Sequence, residues 1–268
     1  MRIRVAHSMV YRYEPPTTGV IQVLRLTPRN HVGQYVEYWR IDVTPDVRLA
    51  AHEDAFGNIT HALTLDGPIE ELRVEVDGAV ETQNTDGVVR GTLERFPTNL
   101  FLRDTAMTQA DAAIRSFAQE ARAANDGNTL AELHGLLDRV HTRIACETDA
   151  ARSLTNSAQA FATKRGTVGD IAHIFIGAAR SLGIPARYVA GYLRRERDPE
   201  EHHHGHAWAE AHVPDLGWVA FDPTEGLCPT DAHVRVAIGL DALGAAPVRG
   251  MRYGSAAETT AVAIKVDQ

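Results

Sequence analysis

The sequence predicts an α+β fold in which an N-terminal antiparallel β-sandwich precedes helices packed on a second antiparallel sheet. The hydrophobic pattern has a period of two from the N-terminus to about Gln83, which is typical of half-buried strands. Past Gly91 the period changes to that of an α-helix, and alternation returns after Pro185. The sequence therefore predicts two successive regions, the first built of strands and the second of helices and strands.

Five or six strands are predicted in the first region, separated by residues typical of tight turns. The alternating runs cover residues 2–13, 21–26, 34–43, 58–65 and 71–82. Gly, Pro, Asn or Asp stands at each break, as in Glu14-Pro15-Pro16 and Asp66-Gly67-Pro68. Short antiparallel strands with frequent turns predict a small sandwich.

The helical region predicts three amphipathic helices and one buried helix. The first is expected to begin at Thr108, the second follows residues 125–128, and the third covers about 157–164. The strongest signal runs from residue 171 to 182 and ends before Gly183 and Pro185, which favour termination. This segment is the predicted central helix.

Strands are predicted again over residues 187–193, 206–213 and 218–222, with a last strand at 259–266. The change of period places the domain boundary between residues 84 and 104. We assign residues 1–95 to the first domain and 96–268 to the second.

The composition is that of a globular protein, with 44% hydrophobic and 23% charged residues in a chain of 268. A net charge of -8 and the lack of a basic stripe argue against nucleic acid as a partner. No run of 18 apolar residues predicts a membrane span, and the start of the sequence reads as mature chain. Two cysteines are too few for a disulfide framework, so the expected location is the cytoplasm.

His206 and Asp222 form the first candidate site, because strand parity places them on one face. If His212 pairs with Trp218 across the turn at residues 214–217, His206 lies diagonal to Asp222. Diagonal neighbours are about 7 to 8 Å apart at Cα, which His and Asp side chains can span. An imidazole held by a carboxylate is the base of many nucleophilic enzymes, although an unrelated pair on a strand gives the same pattern.

The segments around this pair resemble those of bacterial transglutaminase-like proteins. Gly205-His206-Ala207-Trp208 and the stretch at 217–224, Gly-Trp-Val-Ala-Phe-Asp-Pro-Thr, resemble the family's histidine and aspartate segments. Residues 165–173 and 180–192 resemble its nucleophile segment, in which Gly-Val-Cys-x-Asp opens the central helix. The first region resembles the N-terminal domain found with that core in bacteria.

The resemblance implies a papain-like core with a Cys, His, Asp triad whose thiol lies at a helix N-terminus. It assigns His206 as the base, Asp222 as its orienting carboxylate and Val168 as the nucleophile position. Valine has no lone pair or acidic proton, so it cannot form an acyl-enzyme. Gly169 also departs from the longer polar residue often found there.

Other residues near the predicted site have structural interpretations that we favour. Cys146 and Cys228 are expected to be small packing residues, and Thr167 a helix cap or a packing residue. Asp170 and His173 match the nucleophile segment and are assigned supporting positions around the site, although a structural use is favoured for both. Trp208 is assigned beside them, lining a groove or packing in the core.

The loop at residues 200–206 is rich in imidazoles. His202, His203 and His204 are weak metal candidates, because neighbouring histidines of one loop seldom reach tetrahedral geometry, and a solvated loop is favoured. No cofactor is expected.

Two functions follow from these observations. The first is a pseudoenzyme that binds a peptide, a protein partner or an active homologue in its groove. The alternative is an active amide hydrolase or transamidase that uses His206 and Asp222 with an unexpected nucleophile or a metal.

Overall fold

The computed structural model describes residues 1–125, 128–147, 155–195, 205–254 and 257–268. Its strands and helices in chain order are β1 (Arg2–Thr27), β2 (Gln34–Thr44), β3 (Ala50–Glu53), β4 (Ile59–Thr82), β5 (Val88–Val89), a 3-10 helix (Thr98–Leu102), α1 (Ala112–Ala123), α2 (Thr129–Arg143), β6 (Ala145–Cys146), α3 (Ser157–Thr163), β7 (Arg165–Gly166), α4 (Val168–Ser181), β8 (Ala186–Leu193), β9 (His206–Val213), β10 (Gly217–Phe221), β11 (His233–Gly239), β12 (Val248–Tyr253) and β13 (Ala257–Asp267). The predicted α+β class is confirmed. No described helix has the length and apolar character needed to cross a membrane.

The first sheet has six strands and is dominated by β1 and β4, which are 26 and 24 residues long. Sequence reasoning split each into two strands at its proline. In the structure both strands pass through the break, because the two irregular segments lie opposite each other, with Thr17 paired to Ile69. Gly67 permits this close approach, since a Cβ there would lie 2.2 Å from the carbonyl oxygen of Thr17.

The two long strands fold the sheet over on itself and enclose a core of their own. Side chains from both halves of β1, such as Met9 and Leu24, share this core with side chains from both halves of β4, such as Leu63 and Val74. The sandwich is therefore made from one continuous bent sheet.

Both ends of the chain contribute to this first sheet. β13 pairs antiparallel with the first half of β1, and β12 pairs with its second half. Residues 248–267, which the sequence-based division placed with the second domain, thus complete the sheet of the first. The predicted last strand at 259–266 lies within β13.

The second sheet has the order β11-β8-β9-β10-β5 and carries α4 against its centre. Every residue of α4 from Gly169 to Arg180 is buried, as the apolar pattern predicted. The first helix begins at Ala112 and not at Thr108, because Asp111 is the N-cap and accepts a 2.8 Å hydrogen bond from the backbone N–H of Ile114. Thr108 is buried and its hydroxyl accepts from Arg180.

A buried ion network ties the linker, residues 90–97 between β5 and the 3-10 helix, to this sheet, and sequence reasoning did not find it. Glu210 on β9 accepts from Arg187 at 2.6 Å and from Arg235 at 2.6 Å. Arg187 also makes two hydrogen bonds, 2.7 and 3.0 Å long, to Glu94 of the linker. Burial alone would raise the pKa of Glu210, but the two guanidinium groups lower it to about 2. The linker is thus held against the sheet by a buried cluster of charged side chains.

Candidate functional site

The start of α4 is fixed by a capping box. The hydroxyl of Thr167 accepts from the backbone N–H of Asp170, and the carboxylate of Asp170 accepts from the backbone N–H of Thr167 at 2.9 Å. Of the two roles expected for Thr167, a cap or a packing residue, the structure shows the cap. Val168 is therefore the first residue of the helix, at the positive end of its dipole.

Asp222 lies just beyond β10, fully buried, and receives hydrogen bonds on both oxygens. Its Oδ1 accepts from the backbone N–H groups of Thr224 and Glu225 at 3.0 and 3.1 Å. Its Oδ2 accepts a hydrogen bond from Nε2 of His206, the first residue of β9. The predicted register of His212 with Trp218 is confirmed, and it brings this imidazole and this carboxylate together.

A second imidazole, which sequence reasoning missed, shares the same carboxylate. Nε2 of His233 lies 3.2 Å from Oδ2 of Asp222. The backbone N–H of Thr230 donates to Nδ1 of His233 at 3.1 Å, so Nδ1 carries no proton and Nε2 must carry it. His233 is thus a neutral donor to Asp222. It begins β11, a strand that the sequence pattern did not predict, so no register argument placed it here.

Asp222 is an anion held by its partners. Burial opposes ionisation, but the interactions with His206 and the hydrogen bond from His233 outweigh it and hold the pKa of Asp222 well below its ordinary value. The carboxylate is therefore charged at neutral pH.

The cluster of His206, Asp222 and His233 brings three potential metal ligands within 4.8 Å of one another. Its hydrogen bonds do not suit a metal, because the nitrogen of His233 that faces the cluster carries a proton and has no free lone pair. Binding a cation there would also leave the N–H of Thr230 without its acceptor. The arrangement fits an oriented imidazole better than a metal centre.

Asp170, His173 and Trp208 all lie buried around this region. Asp170 is occupied by the helix cap and by the backbone N–H of Thr155. Nε2 of His173 accepts a 3.0 Å hydrogen bond from the backbone N–H of Ala242, and burial lowers the pKa of His173 to about 4. The ring of Trp208 lies 6.1 Å from that of His206 and 5.4 Å from that of His233. None of their described hydrogen bonds reaches His206.

The cysteines differ in their surroundings. Cys228 is half-buried, and burial together with the charge of Asp86 raises its pKa to about 11. Cys146 is exposed, so its interpretation as a packing residue is wrong. It lies in β6 opposite Gly166, two residues before Val168 in sequence.

The thiol of Cys146 is close to charged groups of both signs. Its pKa is raised by the surrounding protein atoms, and the charges of Glu225 and Asp222 add to this against the opposing charge of Arg195. A raised pKa leaves little thiolate at neutral pH.

Val168 and His206 line one cavity of about 270 Å³ between the two sheets. The other walls come from β1, β8, β11, β12 and β13, and most of the side chains are apolar. Among the described residues that line the cavity there is no Cys, Ser, Thr, Lys, Asp or Glu. Its hydroxyl groups belong to Tyr188 and Tyr192, whose pKa values burial holds well above the ordinary value.

The metal candidates His202, His203 and His204 lie outside the described residues.

Two family models match the chain in order. Residues 3–81 match the bacterial transglutaminase-like N-terminal region, and residues 115–223 match the transglutaminase-like superfamily. The chain is 28% identical over 279 residues to the uncharacterized protein ML0607 of Mycobacterium leprae (strain TN), and the match covers 99% of this chain and 98% of that protein. It is 33% identical over 103 residues to a protein-glutamine gamma-glutamyltransferase of Pseudomonas aeruginosa, which covers 35% of this chain and 15% of that enzyme.

Among solved structures, a protein described as a "Putative Cysteine Protease" from Cytophaga hutchinsonii shares the fold with a TM-score of 0.77 at 19% identity. The superposition covers 100% of this chain and 90% of that one. The first model covers β1 to β4, and the second covers the region that contains α4, His206 and Asp222. The chain is a member of the transglutaminase-like superfamily that carries the bacterial transglutaminase-like N-terminal region.

Proposed function

We propose that the protein is a pseudoenzyme, which binds a peptide or a protein partner in the cavity at Val168 and His206 without forming an acyl-enzyme. The observation that carries the proposal is the composition of the cavity wall. His206 and Asp222 are arranged as a base and its orienting carboxylate, but the described wall offers the base no Cys, Ser, Thr or Lys to activate. The residue at the start of α4 contributes only an isopropyl group.

Binding is supported by the shape and chemistry of the same cavity. Ligand sites in proteins are concave and mostly apolar, with a few polar groups that fix orientation. This cavity has that character, and it lies where two sheets and the N-terminus of α4 meet. A chain that passes Val168 and His206 would occupy the position of a substrate in an active relative.

Because the described residues include two free cysteines and no disulfide, we place the protein in the cytoplasm as part of this proposal.

The alternative is an active amide hydrolase or transamidase that uses Cys146. Its exposure and its position opposite Gly166 favour this alternative. The raised pKa of the thiol and its absence from the described cavity wall count against it.

Activity assays separate these functions. The purified protein is incubated with glutamine-donor and peptide substrates, with and without a chelator, beside the variants Cys146→Ser and His206→Ala. We expect no transamidation or amide hydrolysis above background in any sample. Turnover that Cys146→Ser abolishes would establish the alternative, and turnover that the chelator abolishes would establish a metal-dependent enzyme. Either result would overturn the pseudoenzyme.

A further inference from the structure

The floor of the cavity at Val168 is widened by two opposing alanines. On β8, Tyr188, Ala190 and Tyr192 are alternate residues, so their side chains lie on one face of the second sheet, and all three line the cavity. Ala207 of β9 is paired directly with Ala190 and also lines the cavity. Two methyl groups thus lie side by side where the flanking positions of β8 carry phenol rings, and this pair gives the floor its depth.

The roof of the same cavity comes from the first sheet and is apolar. Met9 and Leu26 of β1 line it, together with Val262 and Ile264 of β13. A group that enters the cavity is therefore enclosed between apolar side chains of both sheets.

The polar side chains of the wall are already matched within the protein. Arg25 donates through Nε to Oδ2 of Asp54 at 3.1 Å, and this ion pair neutralises its charge. Nδ1 of His7 is 3.0 Å from the hydroxyl of Tyr192, and burial lowers the pKa of His7 to about 4, so the ring is neutral at neutral pH. His206 is held by its carboxylate partner. The described wall therefore offers a ligand no unpaired charge.

A wall of this kind favours an internal apolar residue over a charged residue or a chain end. A charged group that enters an apolar cavity loses its hydration, and nothing in the described wall would replace it. A chain end carries a terminal charge, whereas an internal residue brings only its side chain and neutral amide groups. An apolar side chain is stabilised in proportion to the surface that it removes from water.

We propose that this cavity binds the side chain of one large apolar residue within the bound peptide, such as Leu, Met or Phe, and that Ala190 and Ala207 set its size limit. The inference rests on the proposed function and names the class of residue that the site recognises. The backbone of the peptide would pass Val168 and His206, as the proposed function requires.

The volume of the cavity agrees with a side chain of this size. An apolar cavity of about 150 Å³ holds benzene, so about 270 Å³ accommodates roughly ten non-hydrogen atoms. The side chains of Phe and Met fit within this limit. A larger residue at either floor position would lower it, because protein atoms would then occupy the space that the ligand needs.

Titration calorimetry with acetyl-Ala-Ala-Xaa-Ala-Ala-amide tests this inference, with Phe, Ala or Glu at the central position. We expect the Phe peptide to bind at least about tenfold more tightly than either of the others, which corresponds to about 1.4 kcal/mol. Its binding should show a negative change in heat capacity, because apolar surface is buried. Ala190→Leu, which fills the floor, should remove the preference for Phe over Ala.

Ala261→Leu is the matched control. Ala261 lies on β13 beside Val262, but it is exposed and does not line the cavity. The same substitution there should keep the preference for Phe. Thermal unfolding of each variant shows whether it is folded, and Ala207→Val tests the floor if Ala190→Leu is not.

Three results would overturn the inference and leave peptide binding itself intact. Equal binding of the Phe and Ala peptides would show that the central side chain is not recognised. Binding of the Glu peptide as tightly as the Phe peptide would show that the site does not select against charge. An unchanged preference for Phe in the folded floor variants would place the apolar pocket elsewhere.

Failure of the proposed function has a different result. If none of the peptides binds, the proposed function fails together with this inference. Binding of toluene in that case would assign the cavity to small free molecules.

Discussion

The two walls of the cavity at Val168 and His206 differ in how many hydrogen bonds depend on their polar side chains. On the β9 and β10 side, Asp222 takes hydrogen bonds from two imidazoles and two backbone N–H groups, so it cannot be lost without leaving donors unpaired. On the α4 side the helix is capped by Thr167 and Asp170, and no hydrogen bond depends on the side chain of residue 168. A thiol could be replaced there at little structural cost.

This difference means that the presence of His206 and Asp222 is weak evidence for catalysis. Buried polar networks are retained when they are fully satisfied, whether or not a reaction uses them. The informative position is the one whose side chain makes no hydrogen bond and contributes only apolar packing, and Val168 stands there.

Replacing Asp222 should have the largest effect on stability. In Asp222→Ala, two imidazoles and two backbone N–H groups lose their acceptor in a buried site, and we expect a loss of about 3 to 5 kcal/mol in the free energy of unfolding. Val168→Ala removes two methyl groups from a half-buried position and should cost about 1 kcal/mol. Urea denaturation of both variants measures the two values. Equal losses would show that the walls do not differ as described.

Stability should also fall as the pH is lowered from 6.5 to 4. Burial lowers the pKa of His173 from its ordinary value of 6.5 to about 4, so between these values the unfolded chain binds a proton that the folded chain excludes. The stabilisation is complete above pH 6.5 and is lost as the pH falls through this window, by roughly 3 kcal/mol for one such group. In His173→Gln the slope over this window should decrease, because Gln does not titrate. Denaturant titrations at several pH values measure how the free energy of unfolding depends on pH. Equal slopes in His173→Gln and in the unmodified protein would refute this prediction.

Glu210 should act in a second, more acidic window. Its pKa is lowered to about 2 from an ordinary value of 4.5, so its contribution is complete above pH 4.5 and is lost as the pH falls toward 2. Glu210→Gln should reduce the acidic component, to which Asp222 also contributes, and should leave the slope between pH 6.5 and 4.5 unchanged. The pH dependence of the unfolding free energy distinguishes the two windows, and a change in the upper window would contradict the assignment.

Replacing His233 should reduce stability less than replacing Asp222 does. His233→Phe removes the donor to Asp222 and should cost about 1 to 3 kcal/mol, whereas His233→Gln can still donate and should cost less. Thermal unfolding compares the variants. If the order is reversed, the hydrogen bond to Asp222 is not what His233 provides.

Sequence reasoning predicted the parts of the molecule that depend on local periodicity. The central helix follows from side-chain spacing, and the contact of His206 with Asp222 follows from strand parity. Parity fixes which face a residue occupies wherever a strand and its neighbour are joined by a short turn.

Long-range pairing could not be obtained in this way. β1 and β4 continue through their prolines because the two irregular segments lie opposite each other, which neither segment reveals alone. The same holds for β12 and β13, which return across the whole chain to β1. His233 was missed for the same reason. It lies on β11, which pairs with β8, and its own partner Leu193 is 40 residues earlier in the chain.

We infer that the site lacks only its nucleophile, a claim that the variant Val168→Cys tests. The thiol would stand at the N-terminus of α4, on the wall that also holds His206, where the helix dipole and an imidazole favour the thiolate. Labelling with iodoacetamide at neutral pH, followed by mass spectrometry, compares this thiol with Cys146 and Cys228. We predict fast, stoichiometric labelling at residue 168 in the variant, slowed by a further His206→Ala change, and slow labelling of both native cysteines. Slow labelling at residue 168, or fast labelling of Cys146 in the unmodified protein with loss of a measured activity, would contradict the claim.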